Sequence, residues 1–269
     1  MPDLADQSRW NTYGTTLLDD ISNNPDKYIF KQSPISHWSF YDDLIKTFGR
    51  LDEKRILELG CGTGRFSIYL AQQGASISGV DIGEDLILSA KALAKVNNVT
   101  CEFNQSTVIN LPYPDNTFDI VFGLSILHHL SKTDVVLALW ETSRVLKKEG
   151  VAVFAEPVEN SWLFNFFQNL IPLGKPGMWG YRPSILQRKK WDNYIASIDD
   201  RDMTTYELLT ATTDMFSVRQ VRSYGFLSRL QRLIGSKYHS RLVAIDKFLF
   251  RYLPPLRFYS QIALVTYKK

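Results

Sequence analysis

Apolar and polar positions follow two different periods along this chain, and each change of period marks an element. The run Arg55-Ile56-Leu57-Glu58-Leu59 is short and apolar and leads into Gly60-Cys61-Gly62-Thr63-Gly64, the pattern of a buried strand ending in a tight turn. From Arg65 to Gln73 the spacing becomes helical, with Phe66, Tyr69 and Leu70 on one face and Gly74 as the stop. Ala75–Val80 predicts a second strand ending at Asp81, and Glu84–Val96 a second helix with Leu86, Ala90, Leu93 and Ala94 turned inward. Strands are expected at Val99–Phe103, Phe118–Gly123 and Val151–Ala155. A helix over Thr133–Leu146, running through Val136, Leu137, Trp140 and Val145, is stopped by Lys147-Lys148-Glu149-Gly150. Phe216–Val221 and Gln261–Tyr267 read as two late strands. Between them Leu242, Ile245, Leu249 and Tyr252 repeat at helical spacing until Pro254-Pro255 ends the helix.

Strands alternating with helices predict an α/β fold, a doubly wound Rossmann-like sheet whose parallel crossovers cover both faces. With the two late strands the expectation is a seven-stranded sheet, mostly parallel, with the last strand antiparallel. Residues 1–50, rich in aromatics such as Trp10, Tyr13, Trp38 and Tyr41, read as a helical N-terminal cap, and 51–157 as the core. Residues 158–269 complete the sheet within the same domain. Their first part, 158–200, is again aromatic, with Trp162 and Trp179, but is broken by Pro172, Gly174, Pro176, Gly177 and Gly180, and reads as a helical lid or loop.

Composition narrows the class. At 45% hydrophobic and 22% charged residues, the 269-residue chain is able to bury a core, which excludes global disorder. Cys61 and Cys101 are too few for a disulfide framework. No metal site is expected, because the adjacent His128 and His129 project in different directions and no third ligand is spaced to join them. The first residues lack a secretion signal and no stretch approaches a membrane span, so a cytoplasmic protein is expected. The net charge of +3 hides an asymmetry: residues 158–269 carry 17 Lys and Arg against 8 Asp and Glu, and within 215–269 the only acid is Asp246. Such a segment is either a solvated helix face or a surface for an acidic substrate, an anionic lipid or RNA.

The candidate chemistry lies around the first crossover. Glycines at 60, 62 and 64 allow a tight strand-to-helix turn and close approach of backbone N–H groups to a ligand. Asp81, 17 residues after Gly64, stands where a carboxylate accepts both hydroxyls of a ribose. A dinucleotide fingerprint needs a third small residue where this chain has Arg65-Phe66, and the Gly-Lys-Ser/Thr of a P-loop is missing. The spacing therefore suits a nucleoside without phosphates.

Taken with Leu111-Pro112-Tyr113-Pro114-Asp115-Asn116-Thr117-Phe118-Asp119, Leu127-His128-His129-Leu130 and Arg144-Val145-Leu146-Lys147-Lys148-Glu149-Gly150, this segment resembles the class I S-adenosylmethionine (SAM) dependent methyltransferases. Within them it is similar to the small-molecule type that includes the ubiquinone and menaquinone methyltransferases. The resemblance covers residues 40–157 and implies SAM as cofactor, with S-adenosylhomocysteine as product, and a small-molecule acceptor. It implies that Gly60, Cys61, Gly62 and Gly64 line the methionine and ribose of SAM, with Glu58 orienting the loop. By the same resemblance Asp81 holds the ribose hydroxyls, Ile82 packs on the adenine, and the backbone of Val108 meets the adenine edge. Leu124 and Ser125 lie near the methionine end. Thr107 stands where the family often has an acidic acceptor for the adenine amino group, and a hydroxyl accepts more weakly.

His128 or His129 is the candidate general base; the alternative is a turn element with one ring on backbone and one packed. Tyr13, Glu156, Trp162 and Trp179 are candidate substrate contacts, though Glu156 reads equally as a cap or ion pair and the tryptophans as plain core. A second class of function stays open: a SAM-binding regulator or pseudo-enzyme that docks through the basic C-terminal region on a partner or membrane surface. Nucleic acid substrates are disfavoured, because the Asn-Pro-Pro-Tyr and Pro-Cys motifs of base methylation are missing.

Overall fold

A computed structural model describes residues 4–36, 38–159, 166, 170, 184–190, 192, 203–212, 214–228 and 236–269. Four helices and three strands come first among the described residues: α1 (Leu4–Asn23), α2 (Tyr41–Phe48), β1 (Arg55–Leu59), α3 (Arg65–Gln72), β2 (Ser76–Asp81), α4 (Glu84–Val96) and β3 (Cys101–Gln105). They are followed by β4 (Phe118–Leu124), α5 (Lys132–Val145), β5 (Leu146–Pro157), α6 (Thr205–Thr210), β6 (Val218–Tyr224), α7 (His239–Tyr252) and β7 (Ile262–Lys268). Short 3₁₀ turns occupy Leu127–His129 and Pro254–Tyr259.

The seven-stranded sheet has the order β3-β2-β1-β4-β5-β7-β6. β1 to β5 pair in parallel, and β7 runs antiparallel to both its neighbours. The doubly wound architecture and the single reversed strand match the sequence-based expectation. Several boundaries shift by one to three residues, β6 for instance running Val218–Tyr224 rather than Phe216–Val221. β3 begins at Cys101 rather than Val99, and β5 starts at Leu146, directly from α5, with an irregular register against Phe118 and Ile120.

Strand side chains point alternately to opposite faces, so one strand feeds two cores. Leu57, Leu59, Val121, Ala152 and Phe154 join one cluster with Val135, Ala138 and Leu139 of α5. Ile56, Ile77, Ile120, Phe122 and Val153 join the other with Leu44 and Phe48 of α2 and Phe66 and Leu70 of α3. A third cluster ties Leu17 and Ile21 of α1 to Ile87, Ala90 and Leu93 of α4. Gly14 makes that contact close: a Cβ there would lie 2.6 Å from the backbone of Asp85, and Ser89 donates to the Gly14 carbonyl at 2.7 Å.

Two helix faces correct the sequence reading. In α5 the buried residues are Val135, Ala138, Leu139, Glu141, Thr142 and Val145, while Val136, Leu137 and Trp140 are exposed. In α7 Leu242 and Leu249 are half-buried, but Ile245 and Tyr252 face solvent. The Leu111–Asp115 motif is explained by a latch from α5. Arg144 donates to the carbonyls of Tyr113 at 2.8 Å and Leu111 at 3.1 Å and to Asp115 at 2.8 Å, while Glu141 accepts the Leu111 amide at 2.7 Å. No helix among the described residues is long and apolar enough to cross a membrane.

Candidate active site

The paired carboxyl ends of β1 and β2 form one side of the candidate site. Gly60, Gly62 and Gly64 have φ of +64°, +51° and +68°, the left-handed region that glycine enters without a Cβ clash. The surroundings of the three differ. A Cβ on Gly60 would lie 2.6 Å from Ile126, and one on Gly64 would lie 2.6 Å from Phe103. A Cβ on Gly62 would meet nothing within 4 Å. The middle glycine thus presents bare backbone to open space.

Beside it Asp81 is held rigidly. Its Oδ2 accepts the Gly62 amide at 2.8 Å and its Oδ1 the Gly83 amide at 2.9 Å. A carboxylate offers about four acceptor positions, so capacity remains on both oxygens. Burial pushes the Asp81 carboxyl up, opposed by the amides of Gly83, Gly62 and Ile82 and by the charge of His129. The segment after β3 closes the same corner. The Ser106 amide donates to the Asp81 carbonyl at 2.9 Å and the Gln105 side chain to the Ile82 carbonyl at 3.0 Å. Thr107 is exposed there, its Oγ1 accepting the Ile109 amide at 3.1 Å, and Val108 is buried. The structure therefore gathers Gly62, Asp81, Ile82, Thr107 and Val108 at one corner. Gln105 and Ser106, which the sequence reading passed over, complete it; their signal was their place immediately before Thr107.

Glu58 lies under the glycine turn. It is buried, its Oε2 accepts the Ser67 hydroxyl at 2.6 Å, and burial pushes its carboxyl up to about 8. This neutral-leaning carboxyl ties β1 to the first turn of α3. Ser67 was not legible as its partner, since the pairing needs the crossover to fold back. Cys61 is buried, and burial holds its thiol well above the usual range. Arg65 turns away from the pocket, its guanidinium lying 5.7 Å from the Tyr28 ring centre and 5.9 Å from that of Phe30.

The other wall follows β4. Leu124 is half-buried, and Ser125 is exposed with φ +58°, its amide held by the Ala155 carbonyl at 2.8 Å. Glu156 then organises the turn. Its Oε1 accepts the amides of Ile126 at 3.0 Å and Leu127 at 2.9 Å, and its Oε2 lies 2.8 Å from His128 Nδ1. Glu156 is 0% exposed. Of the two readings of Glu156, its enclosure and its bonds to the turn after β4 favour the cap or ion pair.

His128 is buried on Glu156, whereas His129 is half-buried and close enough to Asp81 to favour its charge. Their rings lie 4.1 Å apart. Tyr13 is exposed on α1. Trp162, Trp179 and most of the stretch 158–200 lie outside the described residues.

A bare glycine backbone facing space beside a rigid carboxylate with spare acceptors fits the sugar of an adenosine-type cofactor. Residues 56–150 match the family of methyltransferase domains. Among curated proteins the chain is similar to an uncharacterized methyltransferase of Bacillus subtilis, 34% identical over 108 residues, covering 40% of this chain and 42% of the relative. It is also similar to a ubiquinone biosynthesis O-methyltransferase of Bartonella tribocorum, 31% identical over 111 residues, covering 41% and 44%. The chain thus spans about half the length of the curated relatives it matches. Among solved structures, an S-adenosylmethionine dependent methyltransferase from Mesorhizobium loti superposes with a TM-score of 0.58, at 18% identity, over 86% of this chain and 98% of that one. That likeness is one of fold, a Rossmann-like sheet flanked by helices, over most of this chain.

Proposed function

We propose that the protein transfers a methyl group from SAM to a small-molecule acceptor in the cytoplasm. The observation that carries the reading is Asp81, pinned by the Gly62 and Gly83 amides and still able to accept, beside a glycine that opens onto space. In this reading Glu58, Gly60, Cys61, Gly62, Gly64, Asp81, Ile82, Thr107, Val108 and Leu124 surround the cofactor, which supplies a methyl group already activated on a sulfonium. The chain's own residues have three tasks. Asp81 fixes the sugar, so the reactive end is held in one register. The turn 125–129, locked by Glu156, fixes the opposite wall. Together the walls align an acceptor and exclude water, an effect that contributes ~7–11 kcal/mol to such a transfer.

His129 is the better placed of the two histidines to take a proton from an acceptor, and His128 holds the turn through Glu156. A base of this kind is worth ~10²–10⁴ in rate. His129→Ala is expected to lower turnover with SAM affinity kept; full rate in this variant and in His128→Ala removes the base from the mechanism. Incubation with methyl-labelled SAM and a metabolite extract tests the whole reading: label in a small product supports transfer, and tight SAM binding without turnover supports a regulator. Absence of SAM binding by titration calorimetry overturns both.

A further inference from the structure

The surface of α7 and the turn after it has no part in the proposed reaction. Asp246, the one acidic residue of this region, is withdrawn into the fold, where its oxygens accept the amides of Phe226 at 3.0 Å, Leu227 at 2.6 Å and Ser228 at 3.0 Å. The outward face carries Ile245, Phe248 and Tyr252 at i, i+3 and i+7, the last two each 60% exposed with rings 4.6 Å apart. The Pro254–Tyr259 turn adds Leu253 and Phe258, also exposed. Arg241, Lys247, Arg251 and Arg257, all exposed, are interleaved with these side chains.

A cavity of about 300 Å³ opens beside this face, lined among others by Arg222, Lys247, Arg251, Arg257 and Asp43. The Asp43 carboxylate is already taken by the Tyr224 hydroxyl at 2.7 Å and by Lys247 at 3.3 Å. Four cations against one engaged carboxylate leave a positive cleft. Because β7 is antiparallel and begins with Ile262 opposite Pro157, the 254–261 turn lies at the carboxyl edge of the parallel strands, the edge that carries Gly62 and Asp81.

We propose that this face docks on an anionic phospholipid surface, the aromatic and aliphatic side chains entering the headgroup boundary and the cleft receiving a lipid phosphate. A helix with apolar side chains on its outer face, ringed by cations and with its acid hidden, has the charge and apolar area that interfacial binding uses. A nucleic acid would use the cations and leave Ile245, Phe248 and Leu253 in water. The inference does not depend on the reaction proposed above.

Flotation of the full-length protein tests it, with vesicles of phosphatidylcholine alone or mixed with phosphatidylglycerol. Recovery is expected with the mixed vesicles only and falls as salt is raised. Arg251→Gln is expected to lower the partition about fivefold, the share of one surface cation, and Phe248→Ser with Tyr252→Ser to lower it further. Both changes are at exposed positions, and an unchanged melting temperature checks the fold. No recovery with mixed vesicles at low salt overturns the proposal. So does equal recovery with both vesicle types, or recovery unaffected by either variant. Binding to polyuridylic acid without vesicle binding replaces the lipid with RNA.

Discussion

Asp81 closes β2 and Glu156 lies near the end of β5, at the same edge of the sheet and on either side of the β1–β4 pair. Each carboxylate accepts backbone amides from the loop beside it. Asp81 takes two, one per oxygen, and borders open space at Gly62. Glu156 takes the Ile126 and Leu127 amides and the His128 ring with no exposed surface. Two carboxylates at the same strand edge thus differ in spare acceptor capacity and in the opening beside them. One acid keeps acceptor capacity beside an opening, and the other is fully engaged in holding a turn.

The sharpest way to break this contrast is to remove each acid in turn. Glu156→Ala strands buried amides and an imidazole, and is expected to cost ~3–5 kcal/mol in urea unfolding. Native stability with an altered KM would instead return Glu156 to substrate binding. Asp81→Ala is expected to weaken SAM by ~1.5–3 kcal/mol per lost charge-assisted bond in titration calorimetry; unchanged affinity removes it from the pocket.

The third test uses pH. Glu58 titrates at about 8 in the fold against an ordinary 4.5, so the folded chain binds the extra proton between those values. Stability is then greatest below 4.5 and falls as pH rises toward 8, by at most ~1.4 kcal/mol per pH unit from this group. Glu58→Gln keeps a neutral partner for Ser67 and should flatten that part of a melting-temperature profile; an unchanged slope assigns the effect elsewhere. The smallest effect is expected at the open glycine. Gly62→Ala meets no atom but must hold φ +51°, a strain of ~1 kcal/mol in chemical unfolding. A loss of SAM affinity beyond that strain would show that the added methyl reaches the cofactor.

Much of the architecture could be read along the chain because local spacing reports local structure. Glu84–Val96 is the helix its pattern predicts, and the glycine turn between β1 and α3 lies against Asp81 at the end of β2. Faces were less legible. Residues 135–139 of α5 are apolar without interruption, so periodicity cannot say whether Val136 or Val135 turns inward. The sheet chose Val135. The pocket corner was half legible for the same reason: Thr107 and Val108 lie 26 and 27 residues beyond Asp81 in sequence, and only the β2–β3 pairing brings Ser106 onto the Asp81 carbonyl.

The sequence by itself determined the order of elements, the left-handed turn at Gly60–Gly64 and the carboxylate that follows it, since these depend on neighbours within a few residues. Tertiary structure alone decided that Glu156 is engaged by the turn after β4, that Glu58 meets Ser67, and that Ile245, Phe248 and Tyr252 of α7 remain outside. Those outcomes depend on which groups distant in sequence come within 3 Å of one another and on how much water the packing leaves, and no local pattern encodes either.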